Sequence, residues 1–196
     1  RFARELSLGI IAGVSERLED CIFNSLVAIG PGGEIVGQYR KTHLFAPSPV
    51  EEHKCFAAGG ELVTLPVGGS SRIGLSICYD LRFPEFYRAL AVNHGANVLV
   101  ISSAWPFPRL EHLRALSVAR AIENQSYVVL ANRVGKDGGV TFCGSSAIID
   151  PYGVLIAAAS PDREELVSAD LSDEVIETVR EQMQVFEHRR PEVYAR

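Results

Sequence analysis

A cysteine in the middle of the chain is placed for nucleophilic chemistry. Cys78 directly follows the strand-like run Arg72–Ile77 and precedes a stretch with helical periodicity. A thiol at the start of a helix lies at the positive end of the helix dipole, which favours the thiolate, the nucleophilic form of cysteine. The alternative is an inert cysteine buried in the core, which is the commoner fate of a single cysteine. Position alone favours this alternative, so the flanking residues must decide.

The pattern around Cys78 mixes strands, hairpins and helices. Apolar runs and turn residues predict strands at Leu8–Val14, Ile22–Ile29, Glu34–Tyr39, Arg72–Ile77, Asn97–Ser103, Tyr127–Ala131, Ser146–Asp150, Val154–Ala158 and Leu166–Ala169. Spacing and capping signals predict helices that begin near Pro84, extend over Arg109–Asn124, and follow Ser172 or Asp173. Residues 42–60 form a long polar connection, which inside a domain is usually functional. The pattern predicts the α/β class.

Several short segments on or beside these elements form a recognisable series. They are Tyr39–Phe45, Cys78–Glu85, Ala119–Asn124, Ala131–Gly135, Gly144–Ser146 and Asp150–Gly153. In this order and with this spacing they resemble the motifs of the nitrilase (carbon–nitrogen hydrolase) superfamily, and its amidase branch in particular. The resemblance runs from about Phe2 to Tyr194, and it favours the functional interpretation of Cys78.

The resemblance implies the chemistry of amide hydrolysis. Attack on an unactivated amide needs a nucleophile, a base, and a cationic or N–H group that stabilises the developing oxyanion. By resemblance, Cys78 is the nucleophile. Lys41 is expected to lie beside it, favouring the thiolate and hydrogen-bonding the oxyanion together with the backbone N–H of Tyr79. The alternative for Lys41 is a solvated lysine after a hairpin, and the surrounding motif argues against it.

The general base is not assigned in this sequence. The resemblance places it on an early strand, upstream of the segment that matches Phe2–Gly13, and neither Glu5 nor Glu16 falls in the right segment. The sequence starts at Arg1 and its only methionine is Met183. We therefore expect the sequence to be N-terminally incomplete, without a first strand and helix.

A second glutamate is implied in the long connection after the lysine. The family commonly has it seven residues before a glycine, and Glu52 fits this spacing with Gly59. Glu52 is therefore the predicted accessory catalytic residue, which positions substrate or assists proton transfer. The adjacent Glu51 leaves the register open, and a surface carboxylate is the alternative for either residue.

Other residues are expected to shape or support the site. Ser103, Ala104 and Trp105 follow the next strand, where the family lines its pocket, although Trp105 also fits a core aromatic. Four charged residues are expected to orient the surroundings without reacting, namely Asp80, Arg82, Arg120 and Glu123. Of these, Arg120 and Glu123 are three apart on a helix and are expected to pair. His43 suggests a Cys–His dyad, but its place in the lysine motif favours a structural role.

Composition limits the possible partners. The chain has 196 residues, of which 47% are apolar and 22% charged, and its net charge is −5. This balance fits one globular domain and argues against binding to nucleic acid or an anionic membrane. No apolar run is long enough to span a bilayer, and the first residues do not resemble a signal peptide. Four scattered cysteines and five histidines without metal-ligand spacing predict no disulfide framework, no metal site and a reducing cytoplasm.

The sequence thus predicts a single carbon–nitrogen hydrolase domain over residues 1–196. The resemblance implies an α-β-β-α sandwich lacking its first strand–helix portion, no cofactor, and subunits that dimerise. The predicted reaction converts a small amide or ω-amide to an acid and ammonia through a cysteine thioester. The alternatives are an N-carbamoyl amide or nitrile hydrolase, a non-catalytic binding or scaffold protein of the same fold, and an unrelated thiol acyltransferase.

Overall fold

Strands make up the framework of the protein. The computed structural model describes residues 1–48 and 50–194, so Pro49, Ala195 and Arg196 lie outside the described residues. In chain order the strands are β1 (Ile10–Leu18), β2 (Cys21–Ile29), β3 (Ile35–Arg40), β4 (Thr64–Gly68), β5 (Ser71–Ile77), β6 (Val98–Ser103), β7 (Tyr127–Asn132), β8 (Val134–Asp137), β9 (Val140–Cys143), β10 (Ala147–Ile149) and β11 (Leu155–Ala158). The strands β1, β2 and β3 form an antiparallel sheet, and β8 pairs only with β9 in a separate hairpin.

The helices pack around these strands or connect them. They are α1 (Phe2–Leu6), α2 (Pro84–Val92), α3 (Leu110–Asn124), α4 (Asp173–Gln182) and α5 (Pro191–Tyr194), with short 3-10 helices at Glu52–Lys54 and Cys78–Arg82. Within the part of the chain that the structure describes, no helix is both long and apolar enough to cross a membrane.

The larger sheet has six strands in the order β11-β10-β7-β6-β5-β4. Its central strands β5, β6 and β7 are parallel, whereas the strands at both edges are antiparallel. The carboxyl ends of parallel strands meet at one edge of a sheet, which is where such sheets place their ligands. Residues that directly follow these strands, Cys78, Ala104 and Arg133, are therefore brought to the same edge.

Apolar packing joins the two sheets and one layer of helices. Leu26 of β2 and Tyr39 of β3 are fully buried in the same core cluster as Leu75 of β5. A Cβ at Gly13 of β1 would lie 3.7 Å from the Ser102 hydroxyl of β6, so the two sheets lie face to face. The opposite face of the larger sheet contacts α2, since Tyr87 donates a hydrogen bond to Ser76. This arrangement confirms the predicted α/β sandwich.

Most predicted elements are present with bounds shifted by a few residues, but one prediction is wrong. Among the described residues no strand forms at Leu166–Ala169, and Leu166 is almost fully exposed. The sequence pattern also missed α1, β4 and the β8–β9 hairpin. The hairpin contains Gly135, Gly138 and Gly139 at positive φ, and such glycine-rich sequence resembles a loop.

The connection after β3 is held to the end of that strand by a close backbone contact. The N–H of Gly59 donates to the carbonyl of Lys41 over 2.8 Å. A Cβ at Gly59 would lie 2.2 Å from the Arg40 carbonyl oxygen, which no side chain can tolerate, whereas a Cβ at Gly60 would meet nothing within 4 Å. Gly59 therefore sets how closely the connection approaches Lys41.

Replacing Gly59 with alanine is expected to destabilise the protein, because backbone must move to accommodate the methyl group. Overpacking of this kind costs about 1–3 kcal/mol, which corresponds to a loss of roughly 3–10 °C in melting temperature for a chain of this size. Thermal unfolding of Gly59→Ala and of the matched control Gly60→Ala measures the difference. Equal melting temperatures for the two variants would show that the contact does not constrain the connection.

Candidate active site

The turn that carries Cys78 has an unusual backbone. Cys78 directly follows β5 and has φ of 46°, in the left-handed region that non-glycine residues rarely adopt. Such conformations cost energy and cluster at functional sites. The sequence predicted a helix that begins near Pro84, and α2 begins at that residue, while Cys78 opens the preceding 3-10 helix Cys78–Arg82. The residue before a proline disfavours helical geometry, and Phe83 is extended accordingly.

A buried carboxylate joins this turn to the lysine motif. Asp80 is fully buried, and its Oδ2 accepts hydrogen bonds from the Ile77 N–H at 2.8 Å and the Tyr39 hydroxyl at 2.7 Å. Its Oδ1 accepts from the N–H of His43 at 3.1 Å and lies 2.9 Å from His43 Nδ1. Burial and the charge of Asp80 raise the pKa of Tyr39, so its hydroxyl stays protonated and donates. Asp80 thus holds the turn, as predicted.

His43 is committed to this network. Its ring stacks on Phe83 with the ring centroids 3.7 Å apart, and it does not line the cavity onto which Cys78 opens. The structure therefore places His43 in a structural position, which is the interpretation that the sequence favoured over a Cys–His dyad.

Lys41 and Glu52 form a buried ion pair. The Lys41 side chain is 1% exposed, and its Nζ lies 2.5 Å from Glu52 Oε2. Glu52 also accepts hydrogen bonds from the Phe45 N–H at 2.7 Å and from the Asn24 side chain at 3.2 Å. The neighbouring Glu51 instead pairs with Lys54 on the outside of the connection. The structure therefore brings Glu52, and not Glu51, to the lysine.

Glu16 is engaged elsewhere. It accepts hydrogen bonds from Arg40 and Ser25, which joins the three strands of the smaller sheet. The Arg40 guanidinium is the main cause that lowers the pKa of Glu16 to about 2. A carboxylate of that acidity is a weak base, and Glu16 does not line the cavity, so it stays unassigned to catalysis.

The predicted site residues surround one cavity of about 420 Å³. Its walls include most of the side chains singled out from the sequence, namely Lys41, Glu52, Cys78, Tyr79, Arg82, Ser103, Ala104 and Trp105. Asp80, Arg120 and Glu123 lie behind this wall. The sequence therefore predicted which segments converge on the cavity.

Trp105 belongs to the hydrophobic core and also lines the cavity. It is 3% exposed, its indole N–H donates to the Arg109 carbonyl at 2.9 Å, and its backbone N–H donates to the Asn132 side chain at 2.8 Å. The neighbouring Ser103 hydroxyl is buried without a hydrogen-bond partner among the described residues. The two sequence alternatives for Trp105 are thus compatible, because a core aromatic also forms the cavity surface.

Arg120 supports the turn from behind. Its buried guanidinium donates through Nε and Nη2 to the Leu81 carbonyl, at 3.1 and 2.8 Å. Its Nη1 donates to Glu123 at 2.8 Å, which is the predicted helix pair. Arg120 therefore fixes the backbone of the 3-10 helix that begins at Cys78.

Three arginines line the cavity, each beside an aromatic ring. The guanidinium carbon of Arg82 lies 4.7 Å from the Trp105 ring centroid, that of Arg109 lies 5.8 Å from Phe45, and that of Arg133 lies 4.5 Å from Phe142. Arg82 was expected only to orient the turn. That expectation is incomplete, since its side chain reaches the cavity and rests on Trp105.

Several cavity residues were missed from the sequence, namely Asn24, Phe45, Arg109, Arg133, Val140 and Phe142. Arg133 lies within the recognised segment Ala131–Gly135, so the sequence indicated that this segment belongs to the family pattern but not that Arg133 lines the cavity. Asn24 sits inside an apolar strand, and nothing in the pattern distinguishes it. Among residues 1–48 and 50–194, no group of three or more His, Cys, Asp or Glu side chains is arranged to hold a metal ion.

The fold and the site define the class of protein: an α/β sandwich with a cysteine on a strained turn at the end of a central parallel strand. The model of the carbon–nitrogen hydrolase family matches residues 1–181, and the chain belongs to this family. It is 39% identical to a 2-oxoglutaramate amidase of Bacillus subtilis over 193 residues, covering 98% of this chain and 73% of the relative.

Solved structures agree with this assignment. A carbon–nitrogen hydrolase from Helicobacter pylori superimposes with a TM-score of 0.92 at 28% identity, covering 98% of this chain and 72% of that one. A variant of the amidase from Nesterenkonia sp. AN1 superimposes with a TM-score of 0.85 at 26% identity, covering 98% of this chain and 69% of that one. That variant shows covalent addition of the acetamide moiety of fluoroacetamide at its active-site cysteine.

Proposed function

We propose that the protein hydrolyses small linear amides to a carboxylic acid and ammonia through a thioester at Cys78. The observation that carries this proposal is the shared cavity of the Cys78 turn and the buried Lys41–Glu52 pair. The covalent adduct at the cysteine of the related amidase supports the same chemistry.

The reaction has two displacements at one carbon. The Cys78 sulfur attacks the amide carbon, the amide nitrogen takes up a proton, and the C–N bond breaks, so that ammonia leaves and a thioester remains. Water then attacks the thioester, the C–S bond breaks, the carboxylic acid is released, and the Cys78 thiol is restored. Lys41 and the backbone N–H of Tyr79 stabilise the oxyanion that forms in both steps.

Glu52 is the accessory acid–base residue of this proposal. It contacts Lys41 directly, so it fixes the ammonium group and can exchange a proton with it. The family resemblance assigns the main proton transfers to a further glutamate, which completes a Glu–Lys–Cys triad. We propose no residue of the printed sequence for that glutamate.

The charge of the cavity supports a substrate with a carboxylate. Lys41 and Glu52 neutralise each other, which leaves the three arginines that lie against aromatic rings. Planar guanidinium groups bind carboxylates well. The related protein from Bacillus subtilis is named for 2-oxoglutaramate, which is an ω-amide: it carries its amide at one end and a carboxylate at the other. We therefore place this chain with ω-amide hydrolases rather than with nitrile hydrolases.

We further propose a homodimer in a reducing cytoplasm. The turn of the β10–β11 hairpin packs on α3, since a Cβ at Gly153 would lie 2.6 Å from Ile122. Together with the exposed side chains of Tyr152, Val154 and Leu155, Ile122 forms an apolar surface suited to a second copy of the chain. Cys21 and Cys55 are exposed free thiols, which suits a reducing compartment. A monomeric mass in sedimentation would contradict the dimer.

Ammonia release from a panel of neutral amides, ω-amides, N-carbamoyl amines and nitriles tests the proposed reaction. Release from ω-amides is expected to be fastest, and Cys78→Ala is expected to lower it by at least about 10³-fold because the nucleophile is lost. The matched control Cys21→Ala removes an exposed thiol that does not line the cavity and is expected to retain activity.

The outcomes separate the alternatives. Fastest release from a nitrile or carbamoyl compound would keep the cysteine chemistry but change the substrate class. Activity that survives in Cys78→Ala would contradict the nucleophile. No release from any compound, by folded protein, would favour a non-catalytic binding protein, and release that requires an added acyl acceptor would favour a transferase.

A further inference from the structure

Arg133 differs from the other two cavity arginines because a carboxylate already occupies its guanidinium. Its Nη2 lies 3.0 Å from Asp137 Oδ2, and both side chains are about half exposed or more. Arg82 contacts the ring of His112 instead, and Arg109 has no ion pair within the described ranges. Arg133 is therefore the cavity arginine that binds a carboxylate in the structure, that of Asp137.

The β8–β9 hairpin holds this arginine in place. Arg133 links β7 to β8, and its guanidinium lies over the ring of Phe142 on β9. The hairpin is itself anchored to the loop after β6, because Cys143 N–H donates to the Trp105 carbonyl at 3.0 Å and Phe107 N–H donates to the Thr141 carbonyl at 2.9 Å. The Phe142 ring packs against the face of the guanidinium, so its N–H groups point outward at the edge, where Nη2 contacts Asp137.

The pair with Asp137 can be exchanged at little cost. Exposed ion pairs contribute only about 0–1 kcal/mol to stability, since water and salt screen both charges. A substrate carboxylate can bind the same guanidinium more favourably than Asp137 does. The cavity already holds the amide end of the substrate, so the position of its carboxylate is fixed in advance. Asp137 is thus a weak internal competitor for the site that a substrate carboxylate would take.

We propose that Arg133 is the residue that selects amides bearing a carboxylate at the end remote from the amide, and that Asp137 competes with that carboxylate. The inference rests on the proposed amide hydrolysis at Cys78 and specifies how its substrate is recognised. Cys78 follows β5 and Arg133 follows β7, with β6 between them. Two strand spacings amount to about 10 Å, and both residues line the same cavity, so a substrate that reaches from one to the other is a half-amide of a short dicarboxylic acid.

Steady-state kinetics with two substrates test this selection. One substrate is the half-amide of a short dicarboxylic acid, and the other is a neutral amide of the same length that ends in a methyl group. Arg133→Gln is expected to lower the ratio of kcat/KM for the charged over the neutral amide by about 10–100-fold, mainly through KM, because a charge-assisted contact is lost.

Asp137→Asn is expected to have the opposite effect on the charged substrate, namely a lower KM. Without its competitor, Arg133 should bind the half-amide with a KM about 2–5-fold lower at low salt, and the gain should shrink as salt screens the exposed pair. A purely structural role of the hairpin would give no such salt-dependent gain.

Arg114→Gln is the matched control, since Arg114 pairs with Glu111 on the exposed side of α3 and does not line the cavity. It is expected to leave the substrate ratio unchanged. A ratio that Arg133→Gln does not alter, or that Arg114→Gln alters equally, would overturn the role of Arg133 while leaving amide hydrolysis intact. Wild-type protein that turns over neither substrate would overturn the proposed function and this inference together.

Discussion

The geometry of the site depends on the buried carboxylate of Asp80. It lies between two loops that come from different sheets, the lysine motif after β3 and the nucleophile turn after β5. A buried carboxylate is costly unless several donors satisfy it, and Tyr39, His43 and Ile77 supply them from both loops. Movement of either loop would leave buried charge or donors unpaired. The two loops that carry Lys41 and Cys78 are therefore held in a fixed position relative to each other.

The charged side chains of the cavity differ in how deeply they are buried. The Lys41–Glu52 pair is buried and nearly neutral as a unit, which suits charge that develops during a reaction. The arginines lie against aromatic rings nearer the opening, and their charge is uncompensated except at Arg133. In the proposed mechanism chemistry and recognition therefore occupy different parts of one cavity, and substitutions can address them separately.

The sequence predicted the deep part of the site better than its rim. Lys41, Glu52 and Cys78 belong to segments whose residue order is informative, and the structure brings them together. The spacing of Glu52 to Gly59 favoured Glu52 but left Glu51 open, and the structure separates them because Glu52 pairs with Lys41 whereas Glu51 pairs with Lys54.

The rim and the backbone of the turn were harder to predict for physical reasons. Arg133 acts through a glycine-rich hairpin that resembles a loop, and Arg109 reaches the cavity only because α3 starts beside Phe45. The sequence predicted the helix that begins near Pro84 but not the 3-10 helix Cys78–Arg82 that precedes it, which ends at the extended residue Phe83. Within the described part of the chain no strand forms at Leu166–Ala169, where Leu166 is almost fully exposed and so contributes no burial to a sheet. Each of these features depends on tertiary neighbours that local pattern does not contain.

The most direct test of the account measures the rate at which substrate acylates Cys78. The reaction is quenched with acid at increasing times, and mass spectrometry of the intact and digested protein locates and quantifies the adduct. The account predicts an acyl adduct on Cys78 within the first turnovers of the wild-type protein. It also predicts that Asp80→Asn, of nearly equal size but unable to accept all of the same hydrogen bonds, remains folded and acylates roughly 10–100-fold more slowly, because the thiol and Lys41 lose their alignment. An adduct on another residue, or equal rates in the two proteins, would contradict it.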